Sequence, residues 1–235
     1  MDLSILSWGA SGWGDEFFYA TLVTLTVAIC SFLFGIILAT GAAAMKLSSY
    51  KSLHRIANAY TTIVRGIPEL LVIYLVFYGG NTLIMSIAKG VFGYNEYIEL
   101  PIFFMGVVCI GLSSGAYSTE VIRGAVLAVP TGTIEAAKAI GMSTAIRFKR
   151  ILVPQVVKYA LPGLGNVWQL TLKETSLISV IGLAEIVRVA QIGAGSEKQP
   201  FTFFLTGLIL FLLLASLSDK GYLSIEKWAN KGTRK

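Results

Sequence analysis

The stretch that decides the fold is FFYATLVTLTVAICSFLFGIILATGAAAM at residues 17–45, which contains no charged residue. A helix needs about 20 mainly apolar residues to cross the roughly 30 Å hydrocarbon layer of a bilayer, so this run is long enough to span one. The whole chain agrees, because 55% of its 235 residues are hydrophobic and only 14% are charged, whereas soluble domains carry about 25% charged residues. The sequence predicts an all-α integral membrane protein and excludes a soluble globular or disordered chain.

Further apolar segments follow this run along the chain, and polar residues interrupt the fourth span most. Each segment has the length and composition that a membrane-spanning helix requires. We therefore expect one transmembrane domain over residues 1–235 with about five spans, at 17–45, 66–88, 101–122, 155–182 and 201–220.

The positions of the basic residues predict how these spans are oriented. With five spans, one side of the membrane or its boundary receives every Lys and Arg except Lys89, Lys173, Arg188 and Lys198. Because cytoplasmic loops carry the excess of Lys and Arg, we expect the N-terminus outside and the C-terminus in the cytoplasm. The net charge of +6 then reports topology, and the lipid bilayer rather than nucleic acid is the expected partner.

The loop between the third and fourth spans, residues 129–154, has features of two short helices joined by a turn. Thr131 or Thr133 suits the cap of a first helix, and Glu135 in its first turn suits the positive end of the helix dipole. Gly141 permits a left-handed turn. We expect a second short helix that ends before Pro154.

The spacing in this loop is Glu135-Ala136-Ala137, three residues, Gly141, nine residues, Ile151, one residue and Val153-Pro154. It resembles the EAA loop of permease subunits of bacterial ATP-binding-cassette importers, with Val153 in place of the usual Leu. Three more segments strengthen the match: RGIPEL at 65–70, GAYSTE at 115–120 and YALPG at 159–163. Together they resemble the polar amino-acid branch of that family (the HisMQ branch), in particular the Q-type subunits of the histidine/lysine-arginine-ornithine and opine permeases.

The resemblance extends from about residue 21 to the C-terminus and implies a fold and an assembly. The implied fold is the type I ABC importer (MetI-like) permease fold in the bacterial inner membrane, with the N-terminus periplasmic and loop 129–154 as a cytoplasmic coupling loop. The implied partners are a homologous permease chain, two ATP-binding subunits and a periplasmic solute-binding protein. A heterodimer of permeases is favoured and a homodimer is the alternative. ATP and magnesium would bind the ATPase, with no cofactor, metal or catalytic residue on this chain.

The resemblance also assigns an ATPase-coupling role within the loop. In such importers the EAA loop sits in a groove of the ATPase and transmits its closure to the spans by rigid-body movement. The positions that match the motif are Glu135, Ala136, Ala137, Gly141, Ile151 and Pro154. The implied function of the whole chain is to translocate a polar, basic amino acid or an opine.

The fourth span contains most of the polar residues that lie inside the membrane, where such residues are costly and mark function. At 100° per residue, Asn166, Gln169, Lys173 and Ser176 share a face about 80° wide, and Glu174 lies off it. We expect this face to line the translocation path or a partner span. Lys173 would bind a substrate carboxylate and Glu174 a cationic group, or the two would pair with each other or across the subunit interface.

The third span places Tyr117 and Glu120 on one helical face, as further candidates for the substrate path. Glu120 can pair with Arg123 on its own helix. It can instead meet Arg65 and Glu69 at the start of the second span. The second arrangement predicts an inner gate formed by Arg65 and Glu69. Simple pairing between helices is the alternative.

A different functional class is an ion-coupled secondary transporter or a membrane-embedded enzyme, with Lys173 and Glu174 in proton chemistry. The sequence disfavours an enzyme, because no nucleophile and base motif or metal-ligand spacing is present. Five spans without an inverted repeat disfavour a secondary transporter.

Overall fold

The computed structural model describes residues 3–9, 12–93 and 100–229, and every regular element in these ranges is helical. A short 3₁₀ turn, Leu3–Leu6, precedes the first long helix. We number the helices α1 to α8 in chain order: Gly14–Leu47, Lys51–Gly66, Glu69–Phe92, Ile102–Leu127, Thr131–Ala139, Thr144–Ile181, Ile186–Glu197 and Pro200–Ala229.

Four of these helices, α1, α3, α4 and α8, are long and apolar enough to cross a membrane. Helices α6 and α7 pass the same test together and are bent by 48° where they meet, so they count as a fifth, broken span. The prediction of an all-α membrane protein with about five spans is confirmed.

The segment before the second span differs from expectation. The polar stretch there is a helix of 16 residues, α2, whose last residue is Gly66. The helical span that follows is Glu69–Phe92 rather than the predicted 66–88. Pro68 lies between the two helices, where its fixed φ and missing N–H break the helix.

The loop after the third span forms the predicted turn at Gly141, whose φ of +76° is left-handed. The expected helix caps are wrong, because no side chain caps α5. Thr133 instead donates its hydroxyl hydrogen to the Pro130 carbonyl, with an oxygen-to-oxygen distance of 2.6 Å.

The expectation that the second helix of this loop ends before Pro154 is also wrong. Helix α6 begins at Thr144, continues through a π-helical segment, Phe148–Leu152, and proceeds into the fourth span. Pro154 lies in the first turn of the α-helical part. Pro154 thus lies inside the continuous helix, at the junction between the π-helical segment and the α-helical part.

Helices α1 and α4 form the centre of the bundle and approach closely at small residues. A Cβ atom added to Gly35 would lie 2.9 Å from the Ser114 hydroxyl oxygen and 3.0 Å from the Gly115 nitrogen. Tyr60 of α2 completes this contact by donating its hydroxyl hydrogen to the Leu112 carbonyl at 2.7 Å. Burial raises the pKa of Tyr60 to about 12, so the phenol remains a donor at neutral pH.

Helix α6 packs between α4 and α8. Gly163 lies against Val121 of α4, and Gly165 lies against the ring of Tyr222 of α8. Trp168 meets Phe32 of α1 edge-on, with ring centroids 5.5 Å apart. These contacts hold one face of α6 toward the centre of the bundle.

The break between α6 and α7 is closed by Glu185, which is fully buried. Its carboxylate accepts hydrogen bonds from the backbone N–H groups of Val187 and Arg188 at 2.9 and 2.8 Å. This cap satisfies donors that the start of α7 would otherwise leave unpaired. We call the two ends of the bundle the α5 end and the α7 end, after the helices found there.

Candidate functional site

Two carboxylates from separate spans meet in the middle of the bundle. Glu174 of α6 is 4% exposed and lies within interaction distance of Glu69 at the start of α3 and of Ser113 of α4. Glu174 Oε1 and Ser113 Oγ are among the buried oxygen atoms that make no hydrogen bond of standard geometry to the described residues. We call Glu69 and Glu174 the acidic pair. The buried Glu174 Oε1 of this pair fits a cationic or hydrogen-bond-donating ligand.

A cation lies directly beside the acidic pair. The Arg65 guanidinium carbon is 5.3 Å from the centre of the Tyr117 ring, and Tyr117 interacts electrostatically with both carboxylates of the pair. A guanidinium at this distance from an aromatic face makes a cation–π contact. The structure therefore brings together four predicted residues: Arg65, Glu69, Tyr117 and Glu174.

Glu120 is the shared carboxylate of an ion-pair cluster nearer the α5 end. Arg123 donates through Nε at 3.0 Å, Arg65 Nη1 lies at 4.0 Å, and the Lys46 ammonium donates a hydrogen bond to Oε1. Lys46 also donates to the Thr61 hydroxyl at 2.6 Å. The two expected partners of Glu120, Arg123 and Arg65, are thus both present, while Glu69 belongs to the acidic pair instead.

Lys46 is the residue that sequence reasoning missed, because its place at the end of an apolar run predicts a loop charge at the membrane surface. It is 8% exposed and lies inside α1. A signal was available in the helical spacing. Lys46 continues the buried stripe of small residues that faces α4, made up of Gly35, Ala39, Ala42 and Ala43, at intervals of three and four residues.

The predicted polar stripe on the fourth span faces away from the acidic pair. Gln169 donates to the Ala215 carbonyl and the Ser218 hydroxyl of α8, at 3.2 and 3.3 Å. Asn166 is exposed, and the Ser176 hydroxyl hydrogen bonds to the Lys173 carbonyl within the helix. The stripe meets α8 on one side and an open groove on the other.

Lys173 and Glu174 point to different sides of α6, so the alternative in which they pair with each other is wrong for the described residues. Glu174 faces α3 and α4. Lys173 is exposed and lines a groove of about 280 Å³ beside α7 and α8, with Ser176, Phe204 and Phe211 among its neighbours. A role for Lys173 is therefore separate from that of the acidic pair.

The residues of the EAA loop form an exposed surface at the α5 end. Glu135 and Ala136 are exposed, Ala137 is buried, and Gly141 provides the left-handed turn between α5 and α6. Ile151 and Pro154 lie on the helix that returns from this turn. Large apolar side chains are exposed on the same surface, at Ile140, Ile146 and Phe148. The described residues contain no group of three or more His, Cys, Asp or Glu able to hold a metal ion.

A protein-family comparison decides what kind of molecule this is. The family described as "binding-protein-dependent transport system inner membrane component" matches residues 31–228. The chain belongs to this family. It is therefore the membrane permease component of a transport system that works with a binding protein.

Known permeases resemble the chain over its full length. It is 60% identical over 234 residues to the nopaline transport system permease protein NocQ of Agrobacterium fabrum (strain C58), covering 100% of this chain and 99% of that protein. It is 35% identical over 224 residues to the histidine/lysine/arginine/ornithine permease protein HisQ of Escherichia coli (strain K12), covering 95% and 97%. The resemblance to Q-type permeases of the polar amino-acid branch is confirmed.

A solved structure supports the fold of the permease. The crystal structure of an amino acid ABC transporter with histidines superposes with a TM-score of 0.77 at 29% identity, covering 92% of this chain and 94% of that one. The predicted ABC importer permease fold is confirmed. The ion-coupled carrier and the membrane enzyme are disfavoured, since the relatives are permease subunits of transport systems.

Proposed function

We propose that this permease translocates a polar, basic amino acid or an opine into the cytoplasm, driven by ATP hydrolysis on two separate ATP-binding subunits. A periplasmic solute-binding protein delivers the solute, and a homologous permease chain, or a second copy of this one, completes the membrane domain. ATP and magnesium bind the ATPase. The relatives that transport nopaline and the histidine/lysine/arginine/ornithine group support this class of solute.

The observation that carries the proposal is the acidic pair in the middle of the bundle. Two neighbouring carboxylates with a buried member are costly, and a basic solute supplies the positive charge that Glu69 and Glu174 lack. From Ser113 to Glu120 along α4 the rise is about 10 Å. Polar residues therefore continue from the acidic pair through Tyr117 and Arg65 to the Glu120 cluster.

The exposed EAA loop supports coupling to an ATPase. Glu135 offers a charge, and Ile140 offers a large apolar side chain that is 74% exposed. An apolar surface rimmed by charge is typical of a protein–protein contact. Because helix α6 extends from this surface to Glu174, movement of the loop would be transmitted along the helix to the acidic pair.

The proposed orientation places the α5 end in the cytoplasm and the N-terminus in the periplasm. The distribution of Lys and Arg supports it, although the basic residues at 231–235 lie outside the described residues. Cysteines introduced one at a time at Ser4 and at Ser224, in a variant that has Ser in place of Cys30 and Cys109, would test it in whole cells. Labelling by a membrane-impermeant maleimide is expected at Ser4→Cys only, and the reverse pattern would contradict the orientation.

Transport itself is tested in proteoliposomes that contain the permease with its co-expressed partner subunits. Uptake of labelled nopaline, arginine and histidine is measured with ATP inside the vesicles and the solute-binding protein outside. We expect uptake of at least one of these solutes to require ATP and the ATP-binding subunits. Equal uptake from an ion gradient without ATP would contradict the proposal.

The coupling surface is tested by Glu135→Lys, which reverses a charge on the exposed face of α5. We expect loss of co-purification with the ATP-binding subunits while the permease still inserts into the membrane. Thr133→Lys, which adds a cation elsewhere on the same helix, is the matched control and should retain the ATPase. Unchanged co-purification and transport in Glu135→Lys would remove Glu135 from the coupling surface.

A further inference from the structure

A cavity of about 840 Å³ opens at the α5 end, between α1, α2 and α4. One polar face of α2 forms its wall, since residues three and four apart on a helix share a face. Its lining includes Lys46, His54, Asn58, Thr62, Arg65 and Arg123.

Positive charge exceeds negative charge in this cavity. Lys46, Arg65 and Arg123 all lie around Glu120, the one carboxylate that lines it among the described residues. The ammonium of Lys46 is buried and already bonded to Glu120 and Thr61. The two guanidinium groups are only partly covered, with 42% of the Arg65 side chain and 39% of the Arg123 side chain exposed. Both guanidinium side chains line the cavity.

Two guanidinium groups beside one satisfied carboxylate make a site for a further anion. The planar guanidinium presents paired N–H donors that match the geometry of a carboxylate. His54 is held in place, because its ring nitrogens contact the Lys46 carbonyl oxygen and the Asn58 side-chain nitrogen at 2.8 and 2.9 Å. The wall of the cavity is thus ordered before any ligand enters.

The cavity adjoins the acidic pair through one residue. Arg65 lines the cavity and contacts the Tyr117 ring, which lies beside Glu69 and Glu174. Negative and positive sites therefore lie next to each other along the same polar path.

We propose that the cavity receives the carboxylate of the transported solute while the acidic pair receives its cationic group. The solute class is then a zwitterion with a guanidinium or ammonium group at one end and at least one carboxylate at the other. Arg65 and Arg123 are specificity-determining residues for the carboxylate. This inference rests on the proposed function of the permease, and it replaces Lys173, on the far side of α6, as the partner of that carboxylate.

The test compares three probes that share a guanidinium group: agmatine, which lacks a carboxylate, arginine, which has a single one, and octopine, which adds a second. Equilibrium binding is measured on the assembled transporter in lipid nanodiscs without the solute-binding protein. We expect arginine and octopine to bind about tenfold more tightly than agmatine, the value of one charge-assisted hydrogen bond.

Arg65→Gln should weaken the binding of arginine and octopine about tenfold and change the binding of agmatine by no more than about twofold. The preference for a carboxylate is then lost. Arg123→Gln is a second variant with the same expectation, in case the first does not assemble. Arg55→Gln is the matched control, because Arg55 is exposed on the same helix and does not line the cavity. It should bind all three probes as the unmodified transporter does.

Equal affinity for agmatine and arginine, no saturable binding of arginine, or an equal loss of all three probes in both variants would overturn the inference. ATP-driven uptake measured on the same preparation separates this result from failure of the proposed function. Uptake without a preference for carboxylates counts against the inference alone. Loss of ATP-dependent uptake for every solute counts against the function.

Discussion

The Lys46 ammonium donates a hydrogen bond to the Glu120 carboxylate and so joins the end of α1 to α4. Lys46 is buried, and its remaining contact is the Thr61 hydroxyl of α2 at 2.6 Å. A buried ammonium is stable only when it is paired. Three helices at the α5 end are therefore held together by one ion pair and its hydrogen bonds.

Glu120→Gln should lower the free energy of unfolding by about 3 kcal/mol, because it leaves the Lys46 charge buried without a carboxylate. Denaturation of the purified permease in mild detergent measures the change. The double variant Lys46→Met with Glu120→Gln should recover most of the loss, since it removes the uncompensated charge. Stability equal to that of the unmodified chain in the single variant would show that Lys46 does not depend on Glu120.

Gly35→Ala should destabilise the permease by about 1–3 kcal/mol, the range for overpacking a tight contact. The added Cβ would lie 2.9 Å from the Ser114 hydroxyl oxygen, and the backbone of α4 is nearly as close. The control is Gly41→Ala on the same helix, where a Cβ meets nothing within 4 Å. Gly41→Ala should be neutral or up to about 1 kcal/mol more stable, from helix propensity. Similar thermal stability for both variants would contradict the close packing of α1 on α4.

Gly141→Ala should cost about 1–2 kcal/mol at the turn between α5 and α6, because an L side chain is strained at φ +76°. The strain should displace the coupling loop and reduce the ATPase activity of the assembled transporter. Gly132→Ala lies in α5, where a Cβ also meets nothing within 4 Å and φ is ordinary for a helix. It should retain full ATPase activity, and equal activity in the two variants would argue against a requirement for the left-handed turn.

Glu174→Gln should reduce uptake of a basic solute about tenfold or more, since a charge-assisted hydrogen bond contributes about 1.5–3 kcal/mol. Initial rates of ATP-driven uptake over a range of solute concentrations provide the measurement. Lys173→Gln changes the neighbouring residue, which faces the groove beside α7 and α8. It should leave solute preference unchanged and alter, at most, assembly with the partner permease. A larger change in solute preference for Lys173→Gln than for Glu174→Gln would reverse the roles that we assign.

The membrane fold could be predicted because the features that specify it are local in sequence. An uncharged run such as 17–45 must form a helix in lipid, since a helix satisfies its backbone hydrogen bonds within the segment. The EAA loop could be predicted equally well, because Glu135 and Gly141 lie a few residues apart and the left-handed turn favours a glycine. Helix ends were less predictable. Pro154 predicts a helix end, but helix α6 passes through it at the junction of its π-helical segment and its α-helical part.

The sequence by itself determined the class of the protein, its number of apolar spans and the EAA motif at 129–154, since apolar length and motif spacing lie along the chain. Only the tertiary structure decided which charges meet. Glu69 and Glu174 are far apart in sequence and become neighbours because α3 and α6 contact each other and both contact α4. Lys46 is buried rather than at the membrane surface, because it continues the stripe of small residues on α1 that faces α4 and pairs there with Glu120. Contacts of this kind depend on the rotation of each helix about its axis, which packing against neighbouring helices sets.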